Sequence, residues 1–221
     1  WPLIGKPGPS AAGYNNLGNA LARQERSDEA IESYRQALAL EPTSVAAHYN
    51  LGNLLAKKGD LKAAAYHYEE AIRVSPDFPE AYRNLGNVLA QQGDLEKAIE
   101  LFRKGVAISP RQAESHFYLG TALAKQGQLT EAIDHLQKAI GIKPDYAEAY
   151  HNLGRVLGAQ GRLDKAVEAF QAALNVNPKS AEAHESLALA FSQMGEKDKA
   201  RKHYEEAVRI MKSQQKSRGA R

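Results

Sequence analysis

Apolar and polar residues alternate along this chain in two stripes per period, and the period is 34 residues. Counting from Ala11 as position 1, repeats begin at Ala11, Val45, Pro79, Ala113, Ala147 and Ala181. Positions 4, 7, 8 and 11 fall on one stripe at helical spacing; positions 17, 20, 24, 27 and 28 form a second after a glycine-centred break. Position 7 is always Leu (Leu17, Leu51, Leu85, Leu119, Leu153, Leu187) and position 20 always Ala (Ala30, Ala64, Ala98, Ala132, Ala166, Ala200). Position 8 is Gly except at Ala188, and position 24 is large: Tyr34, Tyr68, Phe102, Leu136, Phe170, Tyr204. The pattern predicts two amphipathic helices, A and B, in every repeat. Small residues at positions 8 and 20 allow close approach, and the position 24 side chain fills the space beside them.

The punctuation agrees. Gly59-Asp60 and Gly93-Asp94 offer a left-handed residue to end helix A and a carboxylate to cap the opening amides of helix B. Pro42, Pro76, Pro110, Pro144 and Pro178 stop helix B, because proline has no amide hydrogen to continue the ladder. Pro79 suits a first helical turn.

A 34-residue helix-turn-helix period with these residues resembles the tetratricopeptide repeat. The resemblance covers residues 11 to about 212 and implies an all-α fold, a right-handed superhelical solenoid of six repeats with A helices lining a concave groove. The expected organisation is a Pro/Gly-rich leader or linker at 1–10, repeats at 11–44, 45–78, 79–112, 113–146, 147–180 and 181–212, and a basic disordered tail at 213–221. Departures are few: Glu25 replaces the turn glycine of repeat 1, Gly105 replaces Ala at position 27 of repeat 3, and Lys212 replaces the last proline.

The net charge of +3 resides in Lys212, Lys216, Arg218 and Arg221; elsewhere acids and bases nearly balance. Phosphate binding needs a basic face, so no nucleic-acid partner is expected. No apolar run reaches the ~20 residues of a membrane span. Cysteine is absent, which removes thiolate chemistry and leaves the compartment open. The cytoplasm is slightly favoured, with a periplasmic or membrane-tethered setting compatible with a piece of a longer chain. No phosphate loop, zinc-protease helix, nucleophile elbow or dinucleotide fingerprint occurs, so neither an enzyme nor a cofactor is expected. Repeats 2, 4 and 6 carry His at positions 4 and 23 (His48 with His67, His116 with His135, His184 with His203), where repeats 1, 3 and 5 have Tyr14, Tyr82 and Tyr150 at position 4. Each pair supplies two of the ~4 ligands of structural zinc. The preferred reading is therefore packing in a duplicated two-repeat ancestor, with no metal.

Candidate binding chemistry lies on helix A at the polar positions 2, 5, 6, 9 and 13. Position 6 reads Asn16, Asn50, Asn84, Tyr118, Asn152, Ser186; position 9 reads Asn19, Asn53, Asn87, Thr121, Arg155, Leu189. Asn is a mediocre helix former, and a carboxamide both donates and accepts, so it can pair with a peptide backbone whatever the side chains. The arrangement resembles the asparagine ladder in the repeat region of O-linked N-acetylglucosamine transferase, which implies peptide binding by Asn16, Asn19, Tyr49, Asn50, Asn53, Arg83, Asn84, Asn87, Tyr118, Thr121, Asn152 and Arg155. The plain alternative is that the amides bond to one another between neighbouring A helices. The carboxylate clamp of chaperone-binding relatives is not matched. Arg83, Asn87, Tyr118, Glu148 and Asn152 stand in its places, and Glu80, Glu114, Glu148 and Glu182 at position 2 would repel a terminal carboxylate.

Three functions follow as expectations: a scaffold binding an extended peptide or partner protein in its groove, a self-assembling module through uncapped ends, or the non-catalytic repeat region of a larger enzyme. Repeat stacks bury apolar surface only against neighbours. The outer side of repeat 6 is therefore expected to be sticky, with a homo-oligomer through the C-terminal repeat as one way to cover it.

Overall fold

The computed structural model describes residues 10–219 and consists there of twelve α-helices with no strand: α1 (Ala11–Arg23), α2 (Ser27–Leu40), α3 (Val45–Lys58), α4 (Leu61–Val74), α5 (Pro79–Gln91), α6 (Leu95–Ile108), α7 (Ala113–Lys125), α8 (Leu129–Ile142), α9 (Ala147–Ala159), α10 (Leu163–Val176), α11 (Ala181–Gln193) and α12 (Lys197–Gly219). Each odd-numbered helix packs against the next even one, as the two-stripe pattern requires. The chain divides into two compact bodies between Pro110 and Arg111. Most of the expected leader, residues 1–9, lies outside the described residues.

Within each body the A helices touch one another (α1 with α3, α3 with α5; α7 with α9, α9 with α11), and each inner B helix touches the next A helix (α2 with α3, α4 with α5; α8 with α9, α10 with α11). Among the described residues no B helix touches the next B helix. A layer in which one row is in contact and the other is splayed curves toward the contacting row, so the A helices form the inner face of each body.

The contact that sets this geometry is glycine against ring. A Cβ built on Gly18, Gly52, Gly86 or Gly154 would lie 2.5, 2.8, 2.6 or 2.5 Å from the ring of Tyr34, Tyr68, Phe102 or Phe170 in the same repeat. No side chain fits there, and the ring is buried in return, with Tyr34 and Tyr68 only 2% exposed. Ala30, Ala64, Ala98, Ala132 and Ala166 at position 20 are wholly buried. In the first body Ala30, Tyr34, Ala64 and Tyr68 join Leu21, Leu51, Leu54, Leu55, Leu85 and Val88 in one continuous core.

The turns follow the sequence closely. Gly59 ends α3 at φ 86°, the Asp60 amide returns to the Leu55 carbonyl at 3.0 Å, and the Asp60 carboxylate accepts from the Ala63 amide at 3.1 Å. Asp94 caps Lys97 in the same way at 3.3 Å. In the first turn Glu25 takes the glycine's place at φ 63°, the one positive φ at a non-glycine residue among those described, a conformation that costs an L-residue about 1 kcal/mol.

The C-terminal end differs from expectation. Helix α12 continues to Gly219, through most of the segment expected to be a disordered tail. Ser213, Gln214, Gln215 and Lys216 contain no helix breaker, and Ser213 Oγ bonds back to the Ile210 carbonyl at 2.7 Å. The outer side of repeat 6 nevertheless remains open: Tyr204 is 59% exposed where its counterparts Tyr34 and Tyr68 are buried.

The three histidine pairs join helix A to helix B inside repeats 2, 4 and 6. Their Nδ1 atoms lie 3.0 Å apart in His48–His67, 2.8 Å in His116–His135 and 3.0 Å in His184–His203. His48 Nε2 also lies 3.0 Å from the Pro42 carbonyl. A carbonyl only accepts, so Nε2 carries the hydrogen, and in the neutral ring Nδ1 accepts from His67. Burial, then the facing His48 and the cation of Arg35, hold His67 down to about 4, with Glu70 opposing. His135, beside His116, Lys138, Asp134 and Glu131, is lowered first by burial, as is His203 beside His184 and Lys202.

Two predictions follow. Gly86→Ala should destabilise the chain by roughly 1–3 kcal/mol through overpacking against Phe102. Gly105→Ala, whose Cβ would meet nothing closer than the Pro79 carbonyl at 3.6 Å, should stabilise it by about 0.5–1 kcal/mol; urea denaturation measures both. The second concerns acid. His67 is depressed from 6.5 to about 4 in the native state, so between those values the unfolded chain binds more protons, and stability falls as pH drops through that window. Replacing His48 and His67 with the Tyr and Leu found at Tyr82 and Leu101 should lessen the loss of melting temperature between about pH 7 and about pH 5, while the other two pairs retain theirs.

Candidate functional site

The polar positions of the A helices do come together on the inner face, but largely by bonding to one another. The position 6 side chain reaches back to positions 5 and 9 of the preceding repeat. Asn50 Nδ2 donates to Asn15 Oδ1 at 3.0 Å, Asn84 Nδ2 to Asn53 Oδ1 at 2.7 Å and to the Tyr49 hydroxyl at 3.2 Å, and Asn152 Nδ2 to Thr121 Oγ1 at 2.9 Å. Ser186 Oγ and His151 Nε2 meet at 2.9 Å in the same register. Position 9 is also tied to helix B, since the Tyr34 hydroxyl donates to Asn19 Oδ1 and the Tyr68 hydroxyl to Asn53 Oδ1, both at 2.8 Å. Burial pushes the Tyr68 phenol up to about 12, which keeps its proton available for this bond.

Counting donors and acceptors shows what is left for a ligand. Both amide hydrogens of Asn84 are used, and its carbonyl faces Arg83 Nε at 3.4 Å. The Asn53 carbonyl accepts two bonds, but its amide hydrogens point to no protein acceptor among the described residues. Asn50 and Asn152 each keep a carbonyl oxygen and one amide hydrogen. Asn16 and Asn87 make no side-chain hydrogen bond among the described residues; Phe102, at position 24 of repeat 3, has no hydroxyl to offer Asn87. Asn16, Asn19, Tyr49, Asn50, Asn53, Arg83, Asn84 and Asn87 belong to the first body, and Tyr118, Thr121, Asn152 and Arg155 to the second.

Two solvent-open clefts lie on these inner faces at equivalent places in the repeat. In the first body, positions 9, 12 and 13 of repeat 1 and 6, 9, 10 and 13 of repeat 2 form one, with Asn19, Arg23, Tyr34, Asn50, Asn53 and Lys57 in its wall. In the second body, Thr121, Lys125, Leu129, Asn152, Arg155 and Val156 form its counterpart between α7 and α9. The ladder residues were legible from their spacing. Position 13 is one of the polar positions expected there, but it is cationic only at Arg23, Lys57 and Lys125, against Gln91, Ala159 and Gln193, and the clefts are what single those cations out.

Paired helices, glycine-to-ring contacts and this inner face define a tetratricopeptide-repeat protein. The sequence matches the family model of the cilia and flagella-associated protein 70 C-terminal domain over residues 5–214, and the chain belongs to that family. No curated protein matches it. Among solved structures it is similar to MamA, with 31% identity over 75% of this chain and 97% of that one at a TM-score of 0.69. It is also similar to YrrB, described as a TPR protein with an unusual peptide-binding site, with 26% identity over 80% and 91% at 0.67. Likeness to Pseudomonas aeruginosa pilF, at 16% identity over 87% and 88% with a TM-score of 0.76, speaks to the fold alone.

A double-mutant cycle tests the junction at Asn53. Tyr68→Phe should cost about 1 kcal/mol, the usual net worth of a hydrogen bond, and clearly less in an Asn53→Ala background; chemical denaturation of the four chains gives the coupling.

Proposed function

We propose that this protein is a non-catalytic scaffold that holds an extended segment of a partner protein against the inner faces of its A helices. The observation that carries the reading is the set of amide groups left over once the inter-repeat bonds are made: Asn16 and Asn87 entire, the Asn53 amide hydrogens, and one side of Asn50 and Asn152. Asn50, Asn53 and Asn152 line open clefts on a face that the fold curves inward, Asn16 and Asn87 hold the same repeat positions 6 and 9 outside them, and an extended backbone has the donors and acceptors to match all five. The similarity to YrrB supports a peptide as the ligand class. The ladder bonds hold neighbouring repeats together; binding uses what they leave over.

A second reading rests on a separate observation. Tyr204 at 59% and Met211 at 37% exposure leave apolar surface on helix B of repeat 6, which supports self-association through that repeat. The chain as the repeat region of a larger enzyme is a third reading that the same inner face would serve.

The two leading readings separate by mutation. Asn16→Ala with Asn87→Ala removes ligand-facing amides that hold no other repeat. It should leave the melting temperature unchanged and reduce partner capture in a pull-down at least several-fold, with self-association by light scattering unaffected. Undiminished capture by the double variant would remove the groove from consideration.

A further inference from the structure

We infer that the inner-face clefts select segments carrying Asp or Glu side chains, each carboxylate seated between two cations. This rests on the groove reading above and adds the chemistry of its ligand. The first cleft presents Arg23 and Lys57 beside Asn50 and Asn53; the second presents Lys125 and Arg155 beside Asn152 and Thr121. No Asp or Glu lines either cleft. Each cleft thus holds two cations, but by different routes: the second cation of the first cleft is Lys57 at position 13, and that of the second is Arg155 at position 9, with Ala159 at position 13.

The state of these cations separates them from many others on the molecule. Arg26, Arg73, Lys97, Lys199, Arg201 and Arg209 are each tied to an acid three residues away on their own helix or its cap. Lys138 pairs with Asp134 one turn away, and Lys58, the neighbour of Lys57, is held by Asp28. Arg23, Lys57, Lys125 and Arg155 have no ion pair among the described residues, and all four are exposed. Two like charges facing one cleft without an acid make a local positive potential, and an anion placed there gains charge-assisted hydrogen bonds from cation and amide together.

The rest of the inner face says which anion. Glu114 and Lys125 occupy opposite ends of α7, roughly 16 Å apart along the axis, and Glu148 and Glu182 repeat that acidic edge on α9 and α11. Position 2 of the repeats forming the first cleft is Ala12 and Ala46, but in the second body a nucleic-acid strand, which carries charge at every residue, would meet this edge. A polypeptide with a single carboxylate between neutral residues does not. The second cleft adds Leu129 and Val156, which offer an aliphatic contact next to the charge. The ligand chemistry is therefore a protein segment with an isolated acidic side chain, its backbone on the spare carboxamides.

The test is selection of a random displayed-peptide library on the immobilised full chain, in parallel with R23Q/K57Q/K125Q/R155Q, whose fold is checked by its melting curve. The expected result is enrichment of Asp and Glu over Asn and Gln among peptides held by the unaltered chain, lost with the neutral variant. A selected peptide should bind about tenfold more weakly when its Glu becomes Gln, with no further loss on the variant. Peptides without acidic preference, or with a preference that survives in the variant, overturn this inference and leave the groove reading standing. Recovery of no specific peptide overturns both, and displacement of the selected peptide by single-stranded DNA through the same four cations overturns the inference in favour of a different ligand.

Discussion

Everything in this molecule depends on how closely helix A can approach helix B. At position 8 the gap left for a side chain is negative: even a methyl group would sit 2.5–2.8 Å from an aromatic carbon in four of the repeats. The ring at position 24 is pressed onto bare backbone, and most of it leaves water, an area whose burial is worth about 2–3 kcal/mol for a large side chain. That single contact fixes the hairpin as a rigid brick. Curvature then follows, because bricks with A helices in contact and B helices apart cannot stack straight.

Much of this was legible in the sequence because it is periodic. Leu85, Ala98 and Phe102 declare their roles by recurring every 34 residues, and Gly93-Asp94 declares a turn by chemistry alone. The limits of legibility are equally physical. Helix α12 outruns its repeat because nothing from Lys212 to Arg218 breaks a helix, and a period cannot report what lies beyond its last copy. The asparagines were found but only half understood. Spacing shows that Asn53 and Asn84 share a face; it does not show that one donates to the other at 2.7 Å, or that Tyr68 takes the remaining lone pair. Position 13 belongs to the expected groove positions, but its cations stay unmarked for the opposite reason, since Arg23, Lys57 and Lys125 look like any other surface charge until the cleft between neighbouring A helices is built.

The histidine pairs show how a two-repeat rhythm alters chemistry without altering shape. Tyr82 with Leu101 and His48 with His67 occupy the same two repeat positions. The histidine version shares a single hydrogen between two ring nitrogens, and burial makes His67 resist taking up another. The inner face carries a comparable duality, because amides that clamp neighbouring repeats and amides free to grip a ligand stand side by side. Rigidity and recognition thus come from the same row of residues, and the clamped members hold the free ones in place.

The Asn53 junction has a wider consequence. Its carbonyl receives the Tyr68 hydroxyl from its own hairpin and the Asn84 amide from the next, so three helices meet at one oxygen atom. Repeat arrays are usually treated as interchangeable beads whose order can be shuffled to evolve or engineer new specificity. Here the third hairpin transplanted without the second would arrive with the Asn84 amide stranded, having lost both Asn53 and Tyr49, and the natural module for recombination is accordingly not one hairpin but a run of them cut where no side chain crosses.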